Sequence, residues 1–403
     1  MYKKNRCTFD MKIRIIYLTL MLFSFTFAIA QDVKNQLNPV NYGVTSLAIA
    51  PDARAGGLGD VGAATDPDVN SQYWNPAKYP FCISRAGFSL NYTPWLRRLV
   101  NDIDLANITG YYRLGEYDAL SGSLRYFSLG EVIATEDLTI KPYEMAFDVA
   151  YSRMLSENFS AAVALRYIRS DLGWNDDGTS PGNAFSADIA MYHNGYLDLG
   201  RRECQLGWGI NISNIGSKIS YDSGNTSEFL PTNLRFGLSF LVPFDDYNTL
   251  TLAGDLNKLL VITRPTMEQY IKETGADKED YAGYRAWLEG EGYYNVGAIT
   301  GIFKSFSDAP GGFKEELQEI QWSIGAEYSY NNQFFVRAGY HYEHPNKGNR
   351  KYFTIGAGFK MSVFAIDAGY VISTAQSNPL DQTLRLSLSF DMDGIRDLLG
   401  KRR

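Results

Sequence analysis

Leu384-Arg385-Leu386-Ser387-Leu388-Ser389-Phe390 decides the fold class. Successive side chains of an extended chain point to opposite faces. The four apolar residues therefore share one face, and Arg385, Ser387 and Ser389 the other. A helix would scatter both sets around its axis. The same period of two recurs upstream. Trp322, Ile324, Ala326, Tyr328 and Tyr330 alternate with Ser323, Gly325, Glu327 and Ser329. Leu206, Trp208, Ile210 and Ile212 alternate with Gln205, Gly207, Gly209 and Asn211, and Leu234, Phe236, Leu238 and Phe240 with Arg235, Gly237 and Ser239.

A soluble β-sandwich alternates too, with its apolar face inside. Three features favour a transmembrane barrel. The segments run to about ten residues, the length of a tilted spanning strand. Their polar faces carry Gly, Ser and charge, as a lumen would. Aromatic residues gather at segment ends, as at Tyr92, Tyr111, Tyr112 and Tyr340. Candidate strands centre on Phe88, Thr109, Leu124, Phe147, Val163, Ile189, Ile210, Phe236, Leu252, Ala326, Val336, Ala357, Ala368 and Leu388, an even set of fourteen. Connections alternate between short turns and long loops, as bacterial barrels require. Residues 194–203 form a turn longer than that rule prefers. The fold class expected is all-β, an outer-membrane barrel of about 14 antiparallel strands.

Composition agrees. Among 403 residues there are 28 Tyr, 23 Phe and 6 Trp, an aromatic content of 14% that suits interfacial girdles, though carbohydrate-binding proteins are aromatic-rich too. A net charge of −7 argues against a nucleic-acid partner. Residues 11–30 place Lys12 and Arg14 before an apolar run and a small-residue site at Ala28 and Ala30, which reads as a signal peptide ending at residue 30. No Cys follows that site directly, which disfavours a lipid anchor. No later apolar run reaches the length of about 18 residues that a spanning helix needs, so crossing must be by strands. Cys82 and Cys204 could pair or stay free; no spacing motif decides.

The barrel is expected over residues 84–391. Ahead of it, residues 31–83 read as an N-terminal hatch. Residues 50–80, APDARAGGLGDVGAATDPDVNSQYWNPAKYP, fit neither helix nor strand but are too specific for a linker. Gly56, Gly57, Gly59 and Gly62 offer close backbone approach, Arg54 and Asp60 should meet inward charges, and Trp74, Asn75 and Pro76 should fix the chain before the first strand. Inward charges are supplied by Arg125, Asp148, Arg166, Asp188 and Arg337. The G-x-G-x-x-G of Gly57, Gly59 and Gly62 follows no buried strand and is not a dinucleotide site. Asp66-x-Asp68-x-Asn70 lacks the glycine and glutamate of a calcium loop. His341, Glu343 and His344 lack the further ligands of a closed metal site. No G-x-S-x-G, H-E-x-x-H or P-loop is present, so no catalytic residue, cofactor or metal is assigned. A lipid-hydrolase alternative would need a Ser or Asp beside His193 or His341.

Two outer features stand out. Trp95, Leu96, Arg97, Arg98 and Leu99 form a first loop that reads either as a lipid anchor or as a partner-docking surface. Residues 257–321 form a long insertion in which 266–289 has helical spacing, with Tyr270, Tyr281, Tyr284 and Trp287 as candidate partner residues. Residues 392–403 read as a periplasmic tail.

The stretches 50–64 and 70–78, with Asn91-Tyr92-Thr93-Pro94-Trp95-Leu96-Arg97-Arg98-Leu99 and Gly110-Tyr111-Tyr112-Arg113, resemble the PorV family of the type IX secretion system. The resemblance extends from the signal peptide to the last strand. The related PorQ proteins share part of the Gly-Ala pattern, and the Asn75-Pro76-Ala77 step is similar to the wider FadL-like superfamily. The resemblance implies a fourteen-stranded FadL-like barrel without catalytic activity. It implies binding of the C-terminal signal domain of cargo leaving the SprA/Sov translocon, and delivery to an attachment complex containing the sortase PorU. A FadL-type transporter of apolar small molecules is the alternative; it requires an apolar lumen.

Overall fold

The computed structural model describes residues 38–400, apart from 98–99, 101, 136–137, 174–178, 201, 223–226, 291–292 and 375–379. The expected signal peptide lies outside the described residues.

Fourteen antiparallel strands close into one barrel. They are β1 (Ala86–Pro94), β2 (Ile103–Arg113), β3 (Asp118–Leu129), β4 (Tyr143–Ser156), β5 (Phe159–Asp171), β6 (Gly182–Leu199), β7 (Arg202–Gly216), β8 (Asn233–Pro243), β9 (Asn248–Leu259), β10 (Gln321–Tyr330), β11 (Phe334–Tyr342), β12 (Lys351–Lys360), β13 (Phe364–Ser373) and β14 (Leu384–Asp391). Each of the fourteen centres read from the sequence falls inside one of them. β1 pairs with β14, from Gly87 opposite Asp391 to Tyr92 opposite Leu386, and this seam completes the ring. A small hairpin, Val132–Thr135 with Leu138–Ile140, stands in the loop after β3.

The usual burial rule is inverted. Ser323, Glu327 and Ser329 are buried, and their neighbours Ile324 and Tyr328 are exposed. Arg385 and Ser387 are buried beside exposed Leu384 and Leu386. Such a wall is stable only with apolar surroundings outside and polar partners inside, because unpaired polar groups are costly to bury. One end of the barrel carries short turns, such as 114–117, 331–333 and 361–363; the other carries the long connections. Short turns mark the periplasmic end. The 194–203 connection is no misfit: β6 runs on to Leu199 and β7 starts at Arg202.

The lumen is filled by residues 38–83. Asn38 N–H donates to Asn346 O at 2.8 Å and Gly43 N–H to Phe229 O at 2.8 Å, both in long connections, so this segment starts at the outer mouth. At the inner rim Arg113 Nη1 donates to Cys82 O at 2.7 Å. The segment is more helical than the sequence suggests. α1 (Ala53–Gly57) is one turn, capped by Asp52, which accepts from Ala55 N at 2.9 Å. α2 (Ser71–Trp74) follows, then a 3₁₀ turn, Pro76–Phe81, capped by Asn75 accepting from Ala77 N at 3.0 Å. Pro76 suits the first position of that turn, where no N–H is needed. These turns are too short to show helical periodicity.

The insertion between β9 and β10 holds α3 (Met267–Thr274), α4 (Tyr281–Gly290), α5 (Ala298–Lys304) and α6 (Phe313–Gln318). The single helical stretch expected over 266–289 is divided at Gly275, which ends α3 with φ 73°. After β14 the chain does not trail away. α7 (Met392–Leu398) is capped by Asp391, and Asp393 Oδ2 accepts from Arg85 N at 2.6 Å, fastening the start of α7 beside the start of β1.

Candidate functional site: the sealed lumen and the outer rim

The hatch is joined to the wall by paired charges. Arg54 donates to Glu327 through Nη2 at 3.0 Å and Nε at 3.2 Å, and through Nη1 to Asp68 at 2.8 Å. Glu327 also accepts from Arg337 Nε at 2.5 Å, and Arg337 Nη1 donates to Asp367 at 2.6 Å. Asp60 accepts from Arg385 and, at 2.5 Å, from the Tyr352 hydroxyl. Asp60 holds φ 64°, a left-handed conformation that Asp tolerates better than branched residues. Buried charges persist only when paired and hydrogen-bonded, and each of these is.

Hydrogen bonds and ring contacts complete the seal. Asp255 of β9 accepts from Gly62 N at 2.9 Å and Ala63 N at 3.0 Å. Asn75 Nδ2 bridges Ala63 O at 3.0 Å and Met191 O at 2.9 Å. Trp74 Nε1 donates to Asp52 at 2.5 Å, and the Arg235 guanidinium lies 4.6 Å from the Trp74 ring centre. Lys78 is buried and donates to Gly62 O at 2.9 Å and Thr65 Oγ1 at 3.2 Å. Gly59 holds φ 76°, and a Cβ there would stand 2.7 Å from Tyr340 N. A Cβ on Gly57 would stand 2.9 Å from Gly356 Cα, and one on Gly56 2.6 Å from Arg385. Gly62 lies against the Trp74 ring, and a Cβ there would stand 2.2 Å from it. The sequence reading missed the reciprocal glycines of the wall. Gly209 faces Ala63 O, and Gly325 and Gly339 face Leu58. Their signal was glycine on the polar face of an alternating strand.

The lumen's other inward charges are buried and hydrogen-bonded. Arg166 meets Asp148 at 3.2 Å and Asp188 at 2.8 Å, and Arg125 donates to Ile49 O at 2.9 Å. Asp66 accepts from Gln205, Asp68 from Arg54, and Asn70 from Asn91, so these three do not form a loop around a common ligand. Glu343 is taken by Arg350 at 2.7 Å and Gln321 at 2.8 Å. Ser323 does stand beside His341, with Oγ 2.9 Å from Nδ1. The two are register partners on adjacent strands, and the His341 ring stacks on Tyr352. The nearby carboxylate, Asp60, is committed to Arg385 and Tyr352. His193 instead stacks on Trp208. Cys82 and Cys204 are free and buried.

The outer loop residues are placed differently from the sequence reading. Trp95 and Leu96 are half-buried, not exposed. Both pack on Ile49, Ile103, Leu105 and Phe127, and Trp95 also on Tyr352, Val371 and Leu380. They bind the first loop down over the hatch, so they are neither a lipid anchor nor a free docking face. Arg97 is exposed and pairs with Asp104 at 3.4 Å. Arg98 and Leu99 lie outside the described residues. In the insertion, Tyr270 is buried, its ring 5.8 Å from Tyr284 and 5.5 Å from Trp287, and its hydroxyl donates to Asp280 at 2.8 Å. The Tyr284 hydroxyl donates to Pro265 O at 2.5 Å. These three rings pack together under the insertion, Tyr284 and Trp287 in a cluster that reaches Phe229; of the four aromatic candidates, Tyr281 alone is exposed.

The insertion is tied to the rim by charge. Lys258 meets Glu316 at 2.9 Å and Glu319 at 2.6 Å, while Lys347 meets Glu315 at 2.6 Å and Glu319 at 3.1 Å. Burial pushes the nearby Asp308 carboxyl up to about 6, and the charges of Glu319 and Glu316 add to the rise.

The model of the family "Type IX secretion system protein PorV" matches residues 31–266, more than half of the chain. No curated protein matches. Among solved structures, a Pseudomonas aeruginosa FadL homologue aligns at 12% identity and TM-score 0.43, covering 85% of this chain and 98% of its own. The Pseudomonas putida toluene transporter TodX aligns at 10% identity and TM-score 0.47, covering 88% and 99%. Likeness at that level adds nothing to the reading of function. Closed fourteen-stranded architecture, apolar exterior and family match together make the chain a bacterial outer-membrane barrel belonging to the PorV family of type IX secretion system proteins.

Proposed function

We propose that this barrel is a non-catalytic docking component, and that it conducts nothing. It takes the C-terminal signal domain of secreted cargo at the SprA/Sov translocon. It then carries that cargo to the attachment complex containing PorU. Work is done on the outer face, where the long loops and the insertion gather. The observation that carries this reading is the seal: the hatch is ion-paired to two strands of the wall, to β10 through Arg54–Glu327 and to β14 through Asp60–Arg385. A transporter of apolar molecules would have to break those pairs and pass buried Arg125, Arg166 and Arg337.

Affinity purification from the native outer membrane tests the reading. Recovery of a very large barrel, or of secreted proteins sharing a C-terminal domain, is the expected result. Reversing exposed charge and bulk with Arg97→Glu and Tyr281→Asp should lower cargo recovery while leaving the folded barrel intact. Recovery of the chain alone with bound fatty acid would overturn it in favour of transport.

A further inference from the structure

The insertion presents an apolar edge that its own core does not use. On α5, Ile299 and Phe303 lie one turn apart and are 55% and 73% exposed. On α6, Phe313 and Leu317 repeat the spacing at 77% and 52%. Phe306, between the helices, is also exposed. Lone exposed apolar residues mean little. Four on two short helices and one between them, in a stretch whose buried residues Gly301, Ser305 and Glu316 are small or polar, form a surface.

Lys258 fixes the height of that edge. On β9 the inward positions are buried Asp255 and Asn257, and exposed Leu252 and Leu256 point outward. Lys258 continues the outward row, about 7 Å along the strand from Leu256. Its ammonium holds Glu316 and Glu319 and lies 5.9 Å from the Phe306 ring centre. The insertion therefore meets the wall at its rim, and it also closes on the mouth, where Glu315 accepts from Asn38 Nδ2 at 3.1 Å. Leu256 pairs in register with Trp322, whose ring joins Tyr340 and Tyr342 in an outward aromatic band. Such bands mark the boundary between acyl chains and headgroups. Phe313 and Leu317 lie within about 100° of Glu316 around α6, since each residue turns about 100°. Both lie on one side of the side chain that grips Lys258. Phe303 and Phe313 are each followed by an exposed lysine, Lys304 and Lys314. Aromatic residues beside lysine suit an element lying in the headgroup boundary, with stems in lipid and ammonium groups on phosphate.

We infer that this edge of the insertion is a membrane foot, seated in the outer-leaflet interface and continuous with the lipid-facing belt of β9 and β10. The occupant is lipid. The full-length protein tests it in phosphatidylcholine–phosphatidylglycerol vesicles, with an environment-sensitive dye on Phe303→Cys or Phe313→Cys. Cys82 and Cys204 are buried, and the unsubstituted parent reports any background labelling. Leu256→Cys serves as the lipid reference and Tyr281→Cys as the water reference. Dyes at 303 and 313 should be quenched by shallow nitroxide lipid as at 256, and should lose the iodide quenching seen at 281. Heat-modifiable migration confirms folding of each variant, and Leu317→Cys replaces any that fails. Iodide quenching equal to that at 281 overturns the foot. So does a dye open to iodide in vesicles but shielded in native outer membrane, which would mean a protein covers the edge.

Discussion

Asp60→Asn should loosen the hatch. The substitution keeps size and shape, and Asn accepts the left-handed backbone that Asp60 holds at φ 64°. It removes the charge and turns one of the two accepting oxygens into a donating amide. Arg385, 3% exposed at its side chain, then has no ion-pair partner among the described residues. Removing one member of a buried pair costs about 3–5 kcal/mol. A cavity of about 230 Å³ borders both Asp60 and Arg385, room enough for water to solvate the orphaned guanidinium. That places the cost near the lower end, about 3 kcal/mol, or about a hundredfold in the folding equilibrium. The assay is urea unfolding in lipid vesicles, read by loss of the compact species on unheated gels. Adding Arg385→Met to Asp60→Asn should recover at least half of the loss, because no charge is then stranded. A single variant within about 1 kcal/mol of the parent would refute the reasoning, since a surface pair is worth about that or less. A double variant as unstable as the single one would refute it too.

Gly59→Val should lower the yield of folded barrel, because a branched side chain must adopt positive φ against Tyr340; Gly115→Ala, with nothing within 4 Å, should not. Gly209→Ala should act like Gly59→Val although it lies on the wall, since its Cβ would stand 2.1 Å from Ala63 O; urea midpoints compare the three. Trp95→Asp should destabilise the outer end of the hatch as well as reduce cargo recovery, whereas Arg97→Glu should change recovery alone; proteolysis of the hatch beside pull-down separates the two. The Asp308 carboxyl is raised by burial from 3.8 to about 6, so the native state holds its proton longer than the unfolded chain. Its contribution is therefore most favourable below about pH 4 and is lost as pH rises through about 6. Protection near Thr263, taken as the exchange rate relative to an unfolded chain at the same pH, should fall across that window, and Asp308→Asn should flatten the change.

The wall was legible because it obeys one rule throughout. Lipid outside and polar filling inside force a strict alternation, and Leu384 to Phe390 displays it without interruption. The hatch was legible as a kind of object but not in form. Its helical turns depend on single caps, Asp52 and Asn75, which look in the sequence like ordinary loop residues. Arg54 and Asp60 stood out as charges in a small-residue stretch, yet nothing local indicates that their partners lie 273 and 325 positions away. The outer loops were read least well. Apolar residues in a loop are equally consistent with docking and with packing, and Trp95, Tyr270 and Trp287 do the second. The residues that do stay open, Phe303 and Phe313, sit on helices too short to show a pattern.

The course of the hatch also constrains how the molecule is made. Residues 38–83 thread the whole bore, from Asn346 and Phe229 at the outer mouth to Arg113 at the inner rim. The seam that shuts the ring joins the first strand to the last. A finished ring would have to admit a thread bearing Arg54, Asp60 and Lys78 past walls that already match them. The cheaper order lays the thread down first and wraps the sheet around it. On that order Asp391 and Asp393 are the last clasp to fasten, Asp391 accepting from the Ser84 hydroxyl and Asp393 from Arg85 N. A chain cut after Ser387 should still gather its early strands around the thread, yet stay an open sheet.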